Sequence, residues 1–194
     1  MKSIINRVTS IFIIVLILSI FNFNLGYAQE PSKAKFDFRN TNWGMTKVEV
    51  KATGFNELIE DKDDMLIYSD VIGGDMNVIV AYIFDDGQLV KGKYLFRTTD
   101  DENQYIHDYK RVKETLTLKY GPPKSDEEIW TDEVYKEDPE KWALAVSSGN
   151  LTYKTVWETG TTAIRLVLHG DGSNTMFGVI YSSKRSEHPK QEVK

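Results

Sequence analysis

Two groups of three strand-like stretches, separated within each group by residues typical of tight turns, constrain the fold of this chain more than any other feature. Short connections of this kind favour antiparallel pairing of consecutive strands. Asp86-Gly87 is a clear example, because both residues tolerate the positive φ angles of a tight hairpin. The predicted strands are 65–71, 77–84, 89–97, 151–158, 161–169 and 175–182. The sequence therefore predicts two three-stranded meanders.

Three helices are expected beside these strands. Thr46 and Glu49 have the spacing of a capping box, which predicts a short helix ending near Gly54. Asp138-Pro139 has the form of a cap and first turn, which predicts another short helix that ends near Val146. A longer helix before Gly121 is indicated by apolar residues at intervals of three and four, namely Tyr105, Tyr109, Val112, Leu116 and Tyr120.

These elements predict an α+β fold, with an antiparallel sheet built from two three-stranded meanders and helices packed on one face. The acidic residues 60–64 are expected to form a solvated loop, and 124–137 have no clear pattern. The predicted organisation is a signal peptide (1–28), a flexible leader (29–35), one domain (36–183) with two helix-plus-meander halves (36–98 and 99–183), and a disordered tail (184–194).

The first 28 residues have the order of features found in a secretory signal peptide. Lys2 and Arg7 provide the positive start, residues 11–21 are almost wholly apolar, and small residues then suit cleavage after Ala28. We therefore expect a periplasmic or extracellular protein. A retained N-terminal membrane anchor is the alternative, because no charged residue lies between Arg7 and Glu30.

The chain lacks cysteine and is acidic. It therefore has no disulfides, thiolate metal sites, cysteine nucleophile or acylated cysteine of a bacterial lipoprotein. Its 24 basic and 29 acidic residues give a net charge of −5, and loss of Lys2 and Arg7 with the signal peptide would leave 22 basic residues and a net charge of −7. Nucleic acids and anionic lipids require a basic partner surface, so the composition argues against both. Membrane contact is expected only if the N-terminal segment is retained.

Two short motifs resemble those of small exported bacterial proteins. One is Trp43-Gly44-Met45-Thr46 followed by Val48 and Val50, and the other is Leu118-Lys119-Tyr120-Gly121-Pro122-Pro123. The first is also similar to the helix start of outer-membrane assembly lipoproteins of the small-protein-A type and of β-lactamase inhibitor proteins. This resemblance implies a fold that pairs helices with antiparallel meanders, and a noncatalytic role in binding or assembly.

Residue types suited to catalysis are scarce. None of the three histidines, His107, His169 and His188, has the spacing of a zinc-binding pair. The turns at 85–87 and 171–174 lack the ligand spacing of an EF-hand, and no Gly-x-Ser-x-Gly motif of a serine hydrolase occurs. We therefore predict no cofactor and no metal site, and favour a protein that is not an enzyme.

The leading hypothesis is a soluble exported module that binds an unknown protein or small ligand in the cell envelope or medium. Its candidate surface is the open side of the second meander, where strand alternation places Lys154, Arg165 and His169 together, away from apolar neighbours such as Leu166. An accessory protein of envelope assembly is one alternative. The other is a hydrolase that uses carboxylates in a cleft beside Trp130 and Tyr135.

Overall fold

An eight-stranded antiparallel sheet with short helices makes up the part of the chain that the computed structural model describes, which is residues 36–54, 57–97 and 102–186. The strands are β1 (Glu57–Lys62), β2 (Met65–Ile72), β3 (Met76–Asp85), β4 (Gln88–Phe96), β5 (Ser125–Trp130), β6 (Leu151–Glu158), β7 (Thr162–Gly170) and β8 (Thr175–Ser183). The helices are α1 (Lys47–Ala52), α2 (Glu102–Tyr120) and α3 (Trp142–Ser147), with a 3-10 turn at Pro139–Lys141. The α+β class is confirmed.

The strand order in the sheet is β1-β2-β3-β4-β8-β7-β6-β5. The last strands of the two groups, β4 and β8, pair at the centre, with Tyr94 opposite Val179. The two groups of strands therefore share one sheet. The predicted signal peptide and leader, and residues 187–194 of the predicted tail, lie outside the described residues.

The sheet contains two edge strands that the sequence did not reveal. β1 occupies part of the stretch expected to be an acidic loop, so that prediction is wrong for residues 60–62, and β5 lies within the unassigned stretch. Both strands are rich in acidic residues, so neither shows the alternation of apolar and polar residues by which a strand is recognised in a sequence. Charges on an edge strand disfavour pairing with another chain, so this composition suits the position that both strands occupy.

The two short helices differ in how their starts are stabilised. The capping box of α1 is confirmed, since the Thr46 amide donates to Glu49 Oε2 at 2.8 Å and the Glu49 amide donates to Thr46 Oγ1 at 3.4 Å. Asp138 is the N-cap residue and Pro139 follows it, as predicted, but they open a 3-10 turn that leads into α3 at Trp142. The Asp138 side chain makes no capping hydrogen bond, and its carboxylate lies 2.9 Å from Lys141 Nζ.

The apolar stripe of α2 packs on the sheet as the sequence predicts. Tyr109, Val112 and Leu116 are buried. The Tyr109 hydroxyl lies 2.6 Å from Thr155 Oγ1, and its ring centroid is 5.3 Å from that of Tyr153. The face of the sheet that carries Tyr153 and Thr155 is therefore the face against which α2 lies, and it holds most of the hydrophobic core.

Candidate binding surface

The three residues singled out by the sequence lie on one face of the sheet. Lys154 is on β6, and Arg165 and His169 are on β7. Alternation along β7 directs the fully buried Leu166 and Leu168 to the opposite face, against which α2 packs. We call the face that carries Arg165 the Arg165 face.

One row of paired residues crosses all eight strands on the Arg165 face. From β1 to β5 its members are Glu60, Ile67, Ala81, Lys93, Ile180, Arg165, Val156 and Ser125. Lys93 and Arg165 therefore lie on either side of Ile180, with Cα atoms two strand spacings, about 9.6 Å, apart. Lys91 lies on the same face of β4, paired with Ser182. This juxtaposition exists only because β4 and β8 are neighbours.

Two of the three predicted residues interact with neighbouring groups. Lys154 Nζ is 3.3 Å from Glu127 Oε2 across the β5–β6 pair. Hydrogen bonds from Ser125 and Lys154 lower the pKa of Glu127, which remains an anion at neutral pH. His169 Nδ1 is 3.3 Å from the carbonyl oxygen of Gly170. Lys154 is thus already neutralised locally, which makes it a weaker candidate for a partner's anion.

Three cations on the Arg165 face have no such neutralisation. Among the described residues, Lys91, Lys93 and Arg165 form no salt bridge, whereas Lys154 on the same face is paired with Glu127. Like charges placed this close repel one another. In a chain whose net charge is −5, a local cluster of positive charge is a distinct feature of the surface.

The cations border an aliphatic strip. The adjacent row places Ile79, Leu95, Gly178 and Val167 side by side on β3, β4, β8 and β7. A Cβ atom at Gly178 would lie 2.8 Å from the carbonyl oxygen of Tyr94 and 3.2 Å from Leu95 Cδ2, so Leu95 covers this glycine closely. Together with Ile180, these residues give the Arg165 face an apolar centre. Apolar centres with arginine nearby are typical of protein interfaces.

Lys91 and Lys93 are the residues of this surface that the sequence did not select. Their alternation with Tyr94 and Phe96 correctly places them on the face opposite the core. The sequence offers no sign, however, that β4 would pair with β8 and bring them next to Arg165. The sequence signal that points to them is the presence of two lysines on a strand that is otherwise mainly apolar.

A cavity of about 250 Å³ lies elsewhere, at the ends of β4 and β8 and beside α2. Phe96 and Phe177 line it, with ring centroids 4.0 Å apart and planes 17° from parallel. Asp75 from the β2–β3 turn and Arg111 from α2 form a bidentate pair at its wall, with nitrogen–oxygen distances of 2.8 and 3.0 Å. The hydrogen bond from Arg111 lowers the pKa of Asp75.

A second, more open cavity of about 510 Å³ lies between α3, the β7–β8 turn and α2. Its described lining is mostly hydroxyl and amide groups, including Ser147, Ser173 and Asn174. Trp130 and Tyr135, which the hydrolase hypothesis invokes, line neither of these two cavities. The Trp130 ring instead packs edge-on against Trp142, with centroids 6.0 Å apart.

The described residues contain no group of histidine, aspartate and glutamate side chains arranged to hold a metal ion. In the same part of the chain, no helix has both the length and the apolar character needed to cross a bilayer. Comparison of the chain with protein-family models, curated proteins and solved structures gave no match. The functional argument consequently rests on the surface and cavities described above.

Proposed function

We propose that this chain is an exported binding module whose helices all pack on one face of the sheet, and whose Arg165 face docks an acidic protein partner. The observation that carries the proposal is the cluster of Lys91, Lys93 and Arg165 around Ile180, which has no salt bridge within the described residues. A partner with carboxylates around an aliphatic centre would complement both the charges and the partly exposed side chains of Ile180 and Leu95.

The composition of the sheet supports this choice of surface. Both edges of the sheet carry acidic strands, β1 and β5, which disfavour strand addition at either edge. An acidic partner would be repelled from these edges and attracted to the middle of the Arg165 face. The surface therefore has the charge pattern that steers a partner to one location.

Photo-crosslinking from the centre of the face tests the proposal. A photoreactive residue replacing Ile180 is expected to capture a partner from the native cell envelope or medium, whereas one replacing Leu118, which is 84% exposed on α2, is expected not to capture it. The captured protein is then purified for affinity measurements. Capture from Leu118 but not from Ile180 would contradict the assignment of the surface.

Charge reversal is expected to weaken that complex strongly. The triple variant K91E/K93E/R165E replaces the three cations with anions, so we expect at least a 100-fold rise in Kd, which corresponds to about 2.7 kcal/mol. The affinity of the wild-type chain should also fall as salt is added. Both quantities can be measured by surface plasmon resonance with the captured partner immobilised.

A matched variant separates this effect from net charge. K110E/K119E/R185E makes the same change in total charge at residues outside the Arg165 face, and none of these three residues forms a salt bridge among the described residues. We expect its Kd to remain within about threefold of the wild-type value. Equal weakening by both triple variants would show that only overall charge matters and that the proposed surface is wrong.

A further inference from the structure

The cavity beside α2 combines an apolar floor with charged walls. Its floor is formed by the stacked rings of Phe96 and Phe177, together with Met76. This arrangement is typical of small-molecule sites, where apolar groups supply most of the contact and a few polar groups fix the orientation of the ligand. The cavity lies on the same side of the sheet as the core residue Phe177, and is separate from the Arg165 face.

Two cations and two anions line this cavity. The cations are Arg97 and Arg111, and the anions are Asp75 and Asp108. The walls are therefore neutral in sum, although Arg111 contacts both carboxylates and Arg97 forms no salt bridge among the described residues. A net anion or a net cation would gain from one pair of groups and be opposed by the other, whereas a ligand that carries both charges can satisfy both.

The four charged groups differ in the salt bridges and hydrogen bonds that they form with other described residues. Arg111 is held by Asp75 and approaches Asp108, with Nη2 3.5 Å from Asp108 Oδ1. Its Nε is buried without a hydrogen-bond acceptor. Arg97 forms no salt bridge there. Asp108 Oδ1 also accepts a hydrogen bond from Gln104 Nε2 at 3.0 Å. The cavity thus offers the guanidinium of Arg97 and the second carboxylate oxygen of Asp108, together with the Nε donor of Arg111.

We propose that this cavity binds a small zwitterion with an apolar body, of the class of a free apolar α-amino acid. Arg97 receives the ligand carboxylate, because a guanidinium recognises that group with paired hydrogen bonds. Oδ2 of Asp108 receives the ligand ammonium group, because Oδ1 already accepts a hydrogen bond from Gln104. The apolar side chain rests on Phe96 and Phe177, and a volume of about 250 Å³ suits a ligand of this size better than a larger one.

Titration of the full chain with L-phenylalanine tests this inference. We expect saturable binding with a Kd near 1 mM, and chemical-shift changes in NMR spectra at Phe96 and Phe177. Two analogues serve as probes of the charge requirement: 3-phenylpropionate lacks the ammonium group and phenethylamine lacks the carboxylate. Each analogue is expected to bind at least about tenfold more weakly than phenylalanine, because one charged wall then loses its partner.

Two single variants test which cavity residue contacts each charged group of the ligand. R97Q is expected to raise the Kd for phenylalanine at least about tenfold, and D108N is expected to do the same, while K110Q on the same helix leaves the Kd unchanged. Circular dichroism verifies that each variant is folded. The inference is overturned if about 10 mM phenylalanine causes no saturable shift at the two rings, or if the analogues bind as tightly as the zwitterion. Neither result affects the proposal for the Arg165 face, which involves none of these residues.

Discussion

Raising the pH above about 10 is expected to unfold this protein cooperatively, because its core contains tyrosines that resist ionisation. Burial raises the pKa of Tyr94 to about 12, and burial likewise raises the pKa of Tyr82, Tyr109, Tyr153 and Tyr181. Unfolded tyrosines ionise near pH 10. The stabilisation from these groups is therefore complete below that pH and is lost as the pH rises towards the folded pKa values.

The expected size of the effect follows from linkage. Each such tyrosine lowers the free energy of unfolding by about 1.4 kcal/mol per pH unit above 10, so five lower it by roughly 7 kcal/mol per unit. Small proteins have about 5–15 kcal/mol of stability in total. We therefore expect the far-ultraviolet circular dichroism signal and the near-ultraviolet absorbance of tyrosinate to change together between about pH 10 and pH 12. Ionisation of all ten tyrosines with an unchanged circular dichroism signal would contradict this.

Replacing one buried tyrosine with phenylalanine separates its contribution to alkaline unfolding from that of the other tyrosines. The hydroxyl of Tyr153 is buried and has no hydrogen-bond partner in the described structure, so Y153F removes the ionisable group without breaking a bond there. We expect the alkaline unfolding midpoint to move to higher pH and the stability at neutral pH to be retained or raised. Y135F, which makes the same change at a partly buried tyrosine outside this group of five, is the matched control and should leave the midpoint in place.

Replacing Gly170 with alanine is expected to destabilise the fold by about 3 kcal/mol, at the upper end of what overpacking usually costs. Gly170 ends β7 where α3 ends, and a Cβ atom there would lie 2.4 Å from the carbonyl oxygen of Ser147 and 2.5 Å from that of Val146. Both neighbours are backbone atoms of the helix end, which cannot move aside as a flexible side chain can. The helix would have to shift away from the sheet. Urea unfolding followed by tryptophan fluorescence measures the loss.

Gly160 provides the matched control for this substitution. It lies in the turn between β6 and β7, and a Cβ atom at this position would meet no atom within 4 Å. G160A is therefore expected to leave the stability unchanged or to raise it by up to about 1 kcal/mol, through the loss of freedom in the unfolded chain. Equal unfolding midpoints for the two variants would show that α3 does not pack closely on β7.

Local elements were the most predictable part of the fold. The capping box at Thr46, the turn at Asp86-Gly87 and the stripe of α2 all depend on residues a few positions apart, and all three are present. The edge strands β1 and β5 were missed, because charged residues that suit an edge resemble those of a loop. The helical turn after Asp138 was also anticipated, but it has 3-10 geometry, and the Asp138 side chain pairs with Lys141 instead of capping it.

The candidate binding surface was predictable only in part. Alternation along β6 and β7 was enough to place Lys154, Arg165 and His169 on one face. It did not show that Lys154 would be neutralised by Glu127 from an unrecognised strand. The role of these residues in binding stays a prediction, as does export by residues 1–28, which lie outside the described structure.

By itself, the sequence determined where the chain turns, which helix face is apolar and which strand residues point away from the core. These properties depend on backbone preferences and on spacing over a few residues. Only the tertiary structure decided that β4 pairs with β8, which brings Lys93 beside Arg165 and stacks Phe96 on Phe177. Such pairings join residues that are distant along the chain, and they are selected by how the whole core packs, so no local pattern encodes them.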